Sequence, residues 1–292
     1  MTFFVPAYDT ELFDIDSLVI KTSTCLEACY KIVEMHHRYE IPATFFILGK
    51  ALESAPRQYR ELLDDPLFEV ASHSYSHQML RDQPICGQAA TREIIHNEIF
   101  RSKHVIEDVF QRPCLGFRPG CGFDRGLEGA PEILNQIQLA GYRYVSTRLW
   151  GKDYSLPAPL TQAHSYIAEG YSEVWEIPGH GWHENLLKGN NRVFGVSAVR
   201  ALLFPPEFPD AIPPGVISTP EEEFRYNNRY FIDKACSQDL EYVSLIWHPW
   251  SLYLFDPQMK MLEMTFTYLA DQDIPAMRFQ DVWKKHVESF KI

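Results

Sequence analysis

His73 and His77 stand four residues apart at the end of the run Phe68-Glu69-Val70-Ala71-Ser72, and they are the side chains in this sequence best suited to hold a metal ion. Placed on a helical turn after a strand, positions i and i+4 share one face and both imidazoles reach the same ion. Spacing alone is weak evidence, because 11 histidines in 292 residues supply roughly 0.4 such pairs by chance. Position adds weight: an apolar strand precedes the pair, and other candidate strands end in Asp9 and Glu11, Arg118, Glu176 and His248. Two imidazoles and a carboxylate leave open positions on a divalent ion, the arrangement that activates water or polarises a carbonyl. A second carboxylate then serves as general base and a separate histidine as general acid.

The elements that must position these groups alternate. Thr2–Tyr8 reads as a buried strand, followed by a helix whose Thr24 and Glu27 form a capping box and which runs to Tyr39. Ile41–Gly49 is a second strand, with a helix over Leu52–Leu63; Phe68–Ser72 is a third, with the HxxxH and then a long helix carrying Ile94, Ile95, Ile99, Val105 and Ile106. Leu115–Gly122 is a strand ending in a turn, Pro131–Ala140 a helix closed by Gly141, and Tyr142–Thr147 a fifth strand. Glu173–Pro178 and Tyr242–His248 are the sixth and seventh strands, with helices from Met259 and around Val282 to finish. This order predicts parallel strands with helical crossovers, and the number of units favours a single barrel domain over residues 1–292. The proline-rich stretch 204–237 is the exception, read as a loop or insertion over one face. In a parallel barrel the C-terminal strand ends converge, so the polar residues there meet.

Composition narrows the function. A formal charge of -12 argues against nucleic acid and anionic membranes as partners. No apolar run approaches the roughly 20 residues that a membrane span needs. Six cysteines without a CxxC read as free thiols in a reducing compartment, and the start at Met1 has no leader pattern, so the expected location is cytoplasmic.

Pro42-Ala43-Thr44-Phe45-Phe46 through Gly49, Glu69 to His77, Phe117-Arg118-Pro119 with Gly122, and Leu245-Ile246-Trp247-His248 occur in the order of the polysaccharide deacetylase family, which the chain resembles from residue 3 to about 285. The resemblance implies an irregular (β/α)7 barrel and metal-dependent hydrolysis of a non-peptide carbon–nitrogen bond, metal-bound water attacking an acyl carbonyl. It implies Asp9 as base, Arg118 orienting it, His248 as acid, and His73 and His77 as ligands of zinc or another divalent ion, with a small-molecule or oligosaccharide substrate. The family's adjacent Asp-Asp pair is here Asp9-Thr10-Glu11; Glu11 is taken as the third ligand, with Asp9 the alternative. Gly120 and Cys121 replace a usual proline and tyrosine, the backbone near Cys121 being an oxyanion donor by the same resemblance. Ser146 stands where an aspartate tunes the acid histidine, and Glu176 is a possible substitute. Cys121, Trp150, Glu176 and His180 are the candidate substrate-binding residues. Two other readings are a metal-independent small-amide or ureide hydrolase and a catalytically silent glycan-binding protein; oligomeric state stays open.

Overall fold

The computed structural model describes residues 1–15, 18–182, 208–212 and 217–289. The first strand is built of two pieces, β1 (Phe3–Phe4) and β2 (Ala7–Thr10), and is followed by a hairpin, β3 (Phe13–Ile15) with β4 (Leu18–Ile20), that leads into α1 (Thr22–Tyr39). Then come β5 (Ala43–Ile47), α2 (Gly49–Ser54), α3 (Pro56–Leu63), β6 (Phe68–Ser72) and α4 (Arg92–Phe110). The middle of the chain supplies β7 (Gly116–Phe117), α5 (Pro131–Ala140), β8 (Tyr144–Val145), β9 (His164–Tyr166) and β10 (Tyr171–Glu176). The last part holds α6 (Pro220–Glu223), a π-helical turn (Phe224–Asn228), α7 (Arg229–Ser237), β11 (Tyr242–Val243), β12 (Ile246–Trp247), α8 (Pro249–Phe255), α9 (Lys260–Asp271) and α10 (Phe279–Ser289).

The main sheet runs β12-β2-β5-β6-β7-β8-β10-β9, all neighbours parallel except the antiparallel β9 at the edge. β1 pairs with β11 in parallel, so β11 and β12 lie side by side with the whole first strand. This is an α/β fold with seven successive parallel strands, as expected. Its two ends are joined by side chains that imitate peptide groups. His180 donates its backbone N–H to Ser244 O at 3.0 Å and accepts Ser244 N–H on Nδ1 at 3.0 Å. Gln162 does the same to Tyr242, donating from Nε2 to its carbonyl (3.2 Å) and accepting its N–H on Oε1 (3.1 Å). At the opposite end of the strands from the polar cluster, buried Glu69 accepts from Tyr144 OH, Thr44 Oγ1 and the Gln280 N–H of α10, so this helix closes the barrel's lower mouth.

Several expectations are corrected. α1 starts at Thr22 with no side-chain cap, so Thr24 and Glu27 lie inside its first turns and form no capping box. The helix over Leu52–Leu63 is two helices, broken at Ala55 before Pro56. The stretch 204–237 is no structureless loop: Thr219 and Glu222 make a capping box, Pro220 occupies the first turn, and Phe231, Ile232 and Ala235 bury a helical face. Its segments 204–207 and 213–216 lie outside the described residues. The cysteines are not all free thiols: Cys86 and Cys121 form a disulfide, while Cys25, Cys29 and Cys114 are buried thiols and Cys236 is exposed. Among the described residues no helix is long and apolar enough to cross a membrane.

Candidate metal centre and acid–base site

β2 ends on Asp9 and Thr10, and the next residue is Glu11; β6 delivers His73, β7 delivers Arg118, β8 delivers Ser146, and β12 delivers His248 as the residue before α8. Parallel register therefore gathers these side chains at one mouth. Glu11 is at the centre. Its Oε2 lies 3.1 Å from His77 Nε2 and 3.5 Å from His73 Nε2, and its Oε1 lies 3.2 Å from His248 Nε2. Asp9 sits beside it, 4.0 Å from His73 Nε2 through Oδ2, while its Oδ1 takes a 2.5 Å bond from Arg118.

Glu11, His73 and His77 bring one oxygen and two nitrogens within 4.8 Å of one another. His73 Nδ1 lies 3.2 Å from the carbonyl of Arg118; donating there leaves its Nε2 with a lone pair. That Nε2 is buried, and its contact with Glu11 Oε2 at 3.5 Å is long for a hydrogen bond, a separation that an ion held between the two would bridge. The donor set of two imidazoles and a carboxylate suits zinc or a similar divalent ion. The residues present fit such an ion.

Electrostatics follow from this packing. Burial pushes the Asp9 carboxyl up, but the charges of Arg118, His73 and His248 outweigh it and hold Asp9 below the usual range. Glu11 falls further below, because His77 and His248 overcome its burial. For His77 burial opposes protonation, and Glu11 reverses that and raises it. Arg118 is wholly buried, its guanidinium 3.8 Å from the Phe46 ring and 5.2 Å from that of Phe279. Its second amino group donates to Ser146 Oγ at 3.0 Å. Ser146 thus serves Arg118, and the carboxylate beside His248 is Glu11.

The loop between the two histidines is not the helical turn that their spacing suggests. Ser74 and His77 have φ of 61° and 64°, and Cys121 opposite them has 63°, so three non-glycine residues hold left-handed backbone around the site. Ser74 Oγ accepts the His77 N–H at 3.2 Å, and a Cβ on Gly120 would lie 2.7 Å from the His77 ring. The turn at Gly120 therefore packs directly on the His77 ring.

The four candidate substrate contacts fare differently. Glu176 is fully buried and spent on its own scaffold, with Oε1 accepting Thr147 N–H (2.7 Å) and Arg148 N–H (2.9 Å) and Oε2 accepting Thr147 Oγ1 (2.5 Å) and Tyr166 OH (2.5 Å). It is corrected to a structural residue, and it does not replace the missing aspartate. His180 is likewise a barrel-closing residue: Nε2 bonds Thr161 O at 2.7 Å, and burial lowers its pKa to about 4. Trp150 is buried with Nε1 donating to the carbonyl of Cys121 at 2.5 Å. Cys121 has its sulfur in the disulfide, so only its backbone is available to a ligand. His183, three residues beyond His180, lies outside the described residues.

The family model for polysaccharide deacetylase matches residues 15–145. That segment belongs to the polysaccharide deacetylase family. The deacetylase match covers His73, His77 and Arg118, while Asp9, Glu11 and His248 lie outside it and join the site through the fold. Solved structures agree with the architecture. Puue allantoinase is 12% identical with a TM-score of 0.66, covering 97% of this chain and 88% of its own. A protein named polysaccharide deacetylase from Mycobacterium smegmatis is 17% identical with a TM-score of 0.66, covering 100% and 91%. Another so named, from Pseudomonas aeruginosa PAO1, is 14% identical with a TM-score of 0.64, covering 97% and 89%. No curated protein matches the chain in sequence.

Proposed function

We propose that the protein is a divalent-metal-dependent hydrolase of N-acyl carbon–nitrogen bonds, with N-acetylated sugars as the substrate class. The observation that carries this is the convergence of the buried Glu11 Oε2 on the Nε2 atoms of His73 (3.5 Å) and His77 (3.1 Å), one carboxylate oxygen and two imidazole nitrogens within 4.8 Å of one another. Glu11, His73 and His77 hold the ion, zinc first among the candidates. An ion held there would supply Lewis-acid chemistry, polarisation of an acyl carbonyl and acidification of water. Asp9, fixed by Arg118, accepts the proton of the attacking water. His248 gives a proton to the leaving amine, and its bond to Glu11 keeps Nε2 directed at the site. The backbone N–H near Cys121, next to the Gly120 turn that packs on the His77 ring, is the candidate donor to the developing oxyanion.

Metal analysis of the purified protein with turnover of N-acetylated oligosaccharides before and after chelation tests this. Expected are about one equivalent of metal, loss of turnover on chelation, and its return with Zn2+. One observation favours the metal-independent small-amide reading: Glu11 alone already ties three imidazoles together, within 3.5 Å of each. Full turnover of a ureide after complete metal depletion establishes that reading and rejects the first.

A further inference from the structure

Glu98 is a carboxylate in the apolar face of α4, between Ile95 and Ile99, and is wholly buried. The bonds of its carboxylate go to the loop that joins the two histidines. Its Oε2 accepts the N–H groups of Tyr75 (3.1 Å), Ser76 (2.7 Å) and Gln78 (3.4 Å), and its Oε1 accepts Ser76 Oγ at 2.6 Å. These partners carry no charge. A buried carboxylate is costly in such surroundings, and converging N–H groups are what make it tolerable.

The same loop is held from its other side. Gly49 and Lys50, at the start of α2, donate their N–H groups to the carbonyls of Ser74 (3.0 Å) and Tyr75 (2.9 Å). Gly49 is needed there, since a Cβ would lie 2.6 Å from the Tyr75 ring. Ser72 Oγ accepts the Ser74 N–H at 3.2 Å and is itself tied to Ser102 of α4. Donors and acceptors of the loop are thus clamped between α2 and α4, with the left-handed Ser74 and His77 at its ends.

We infer that Glu98 is the positioning residue of the two-histidine site: it fixes the backbone between His73 and His77 in its left-handed form and so sets the affinity for a divalent ion. This rests on the metal reading above. Without Glu98 the loop relaxes toward ordinary backbone angles, and His77, the more exposed of the two ligands, leaves the position from which it meets Glu11. Alanine removes all of these acceptors, whereas a glutamine keeps its Oε1 on the three N–H groups and donates its NH2 to the Ser76 hydroxyl.

The test is Zn2+ affinity of the folded, metal-stripped full chain, measured against a chromophoric chelator, together with the visible spectrum of the Co2+-loaded protein. Outer groups that hold ligands in place typically alter metal affinity by about 10–100-fold. Glu98→Ala is expected to raise the Zn2+ Kd by about 10-fold and to change the Co2+ spectrum, and Ser76→Ala, which removes one bond from a partly exposed side chain, to raise it a few-fold, while Glu98→Gln is expected to keep most of the affinity. A merely structural role lowers the urea midpoint of Glu98→Ala and leaves Kd and spectrum as in the wild type; that result overturns the inference. Should Glu98→Ala not fold, Ser76→Ala decides alone, an unchanged Kd counting against the proposal. A wild-type chain that binds no Zn2+ rejects the metal reading and the inference with it.

Discussion

Replacing Asp9 by asparagine separates its two possible roles, base and ligand, and has a cost that the structure fixes. Arg118 is fully buried between Phe46 and Phe279, cannot lose its proton, and has Asp9 and the neutral Ser146 as its side-chain hydrogen-bond acceptors. The asparagine side chain keeps the shape and removes the countercharge. Stranding one member of a buried pair costs about 3–5 kcal/mol, a large part of the roughly 5–15 kcal/mol that holds a folded protein together. Changing Arg118 to methionine as well removes the stranded charge and leaves an apolar chain between two rings, so the double variant should regain most of that loss. Urea unfolding followed by fluorescence of the six tryptophans measures both. The deficit is pH dependent. Asp9 has a lowered pKa in the folded chain, so its contribution is complete above the ordinary carboxylate range and is lost as pH falls through the folded value. Wild type and Asp9→Asn should therefore converge in acid. On the proposed mechanism turnover should fall by a factor of about 100 or more, with the Zn2+ Kd within about threefold of wild type, because Asp9 is not among the three clustered side chains that could hold an ion. A stability loss under about 1 kcal/mol, or a double variant less stable than the single one, refutes the account of the pair. Loss of Zn2+ binding instead makes Asp9 a ligand and refutes its assignment as base.

Two other outcomes are expected. Glu176→Ala leaves four buried donors unanswered and should destabilise the chain by about 3 kcal/mol or more, while kcat/KM per folded molecule stays close to wild type; a large fall in kcat/KM at unchanged stability would return Glu176 to the substrate site. His36 and His180 are held neutral by burial, with pKa values of about 3 and about 4 against an ordinary 6.5. Each takes up a proton on unfolding below that range, so urea stability should be full above pH 6.5 and decline toward pH 4 by up to about 1.4 kcal/mol per pH unit per group; a flat profile from pH 7 to 5 contradicts both assignments.

The strand-end groups were legible in the sequence because a parallel barrel brings every C-terminal strand end to one mouth, whatever lies between. Asp9, Glu11, His73, Arg118 and His248 needed only their place after an apolar run, and they meet. Glu176 occupies a strand end too, yet its carboxylate turns to the neighbouring loop at Thr147 and Arg148. Position identifies which mouth a side chain lies near, and its direction depends on which donors reach it first. The helices and the disulfide of the less regular segments were missed for a different reason: proline-rich composition hides a helix whose proline sits in the first turn, and cysteine spacing does not reveal that Cys86 and Cys121 meet across 35 residues.

Glu98 marks what a closer reading of the sequence can recover. The buried face of α4 comprises Ile95, Glu98, Ile99, Ser102, Val105, Ile106 and Phe110, and a carboxylate in such a stripe has to meet donors from another segment. Periodicity alone marks the position, since residues 95, 98, 99, 102, 105 and 106 follow the 3.6 repeat and one of them ionises. The partner is what stays hidden. Glu98 takes backbone N–H groups, which every loop carries, so no residue type in the sequence points to 75–78. The HxxxH pair has the converse property: its residue types are conspicuous, and the left-handed loop that makes the spacing usable is specified elsewhere, by Glu98 on one side and Gly49 on the other. Four-residue spacing therefore brings His73 and His77 together here through a clamped left-handed loop and not through a helical turn, and on the proposal above the buried carboxylate of Glu98 sets that geometry without itself joining the cluster.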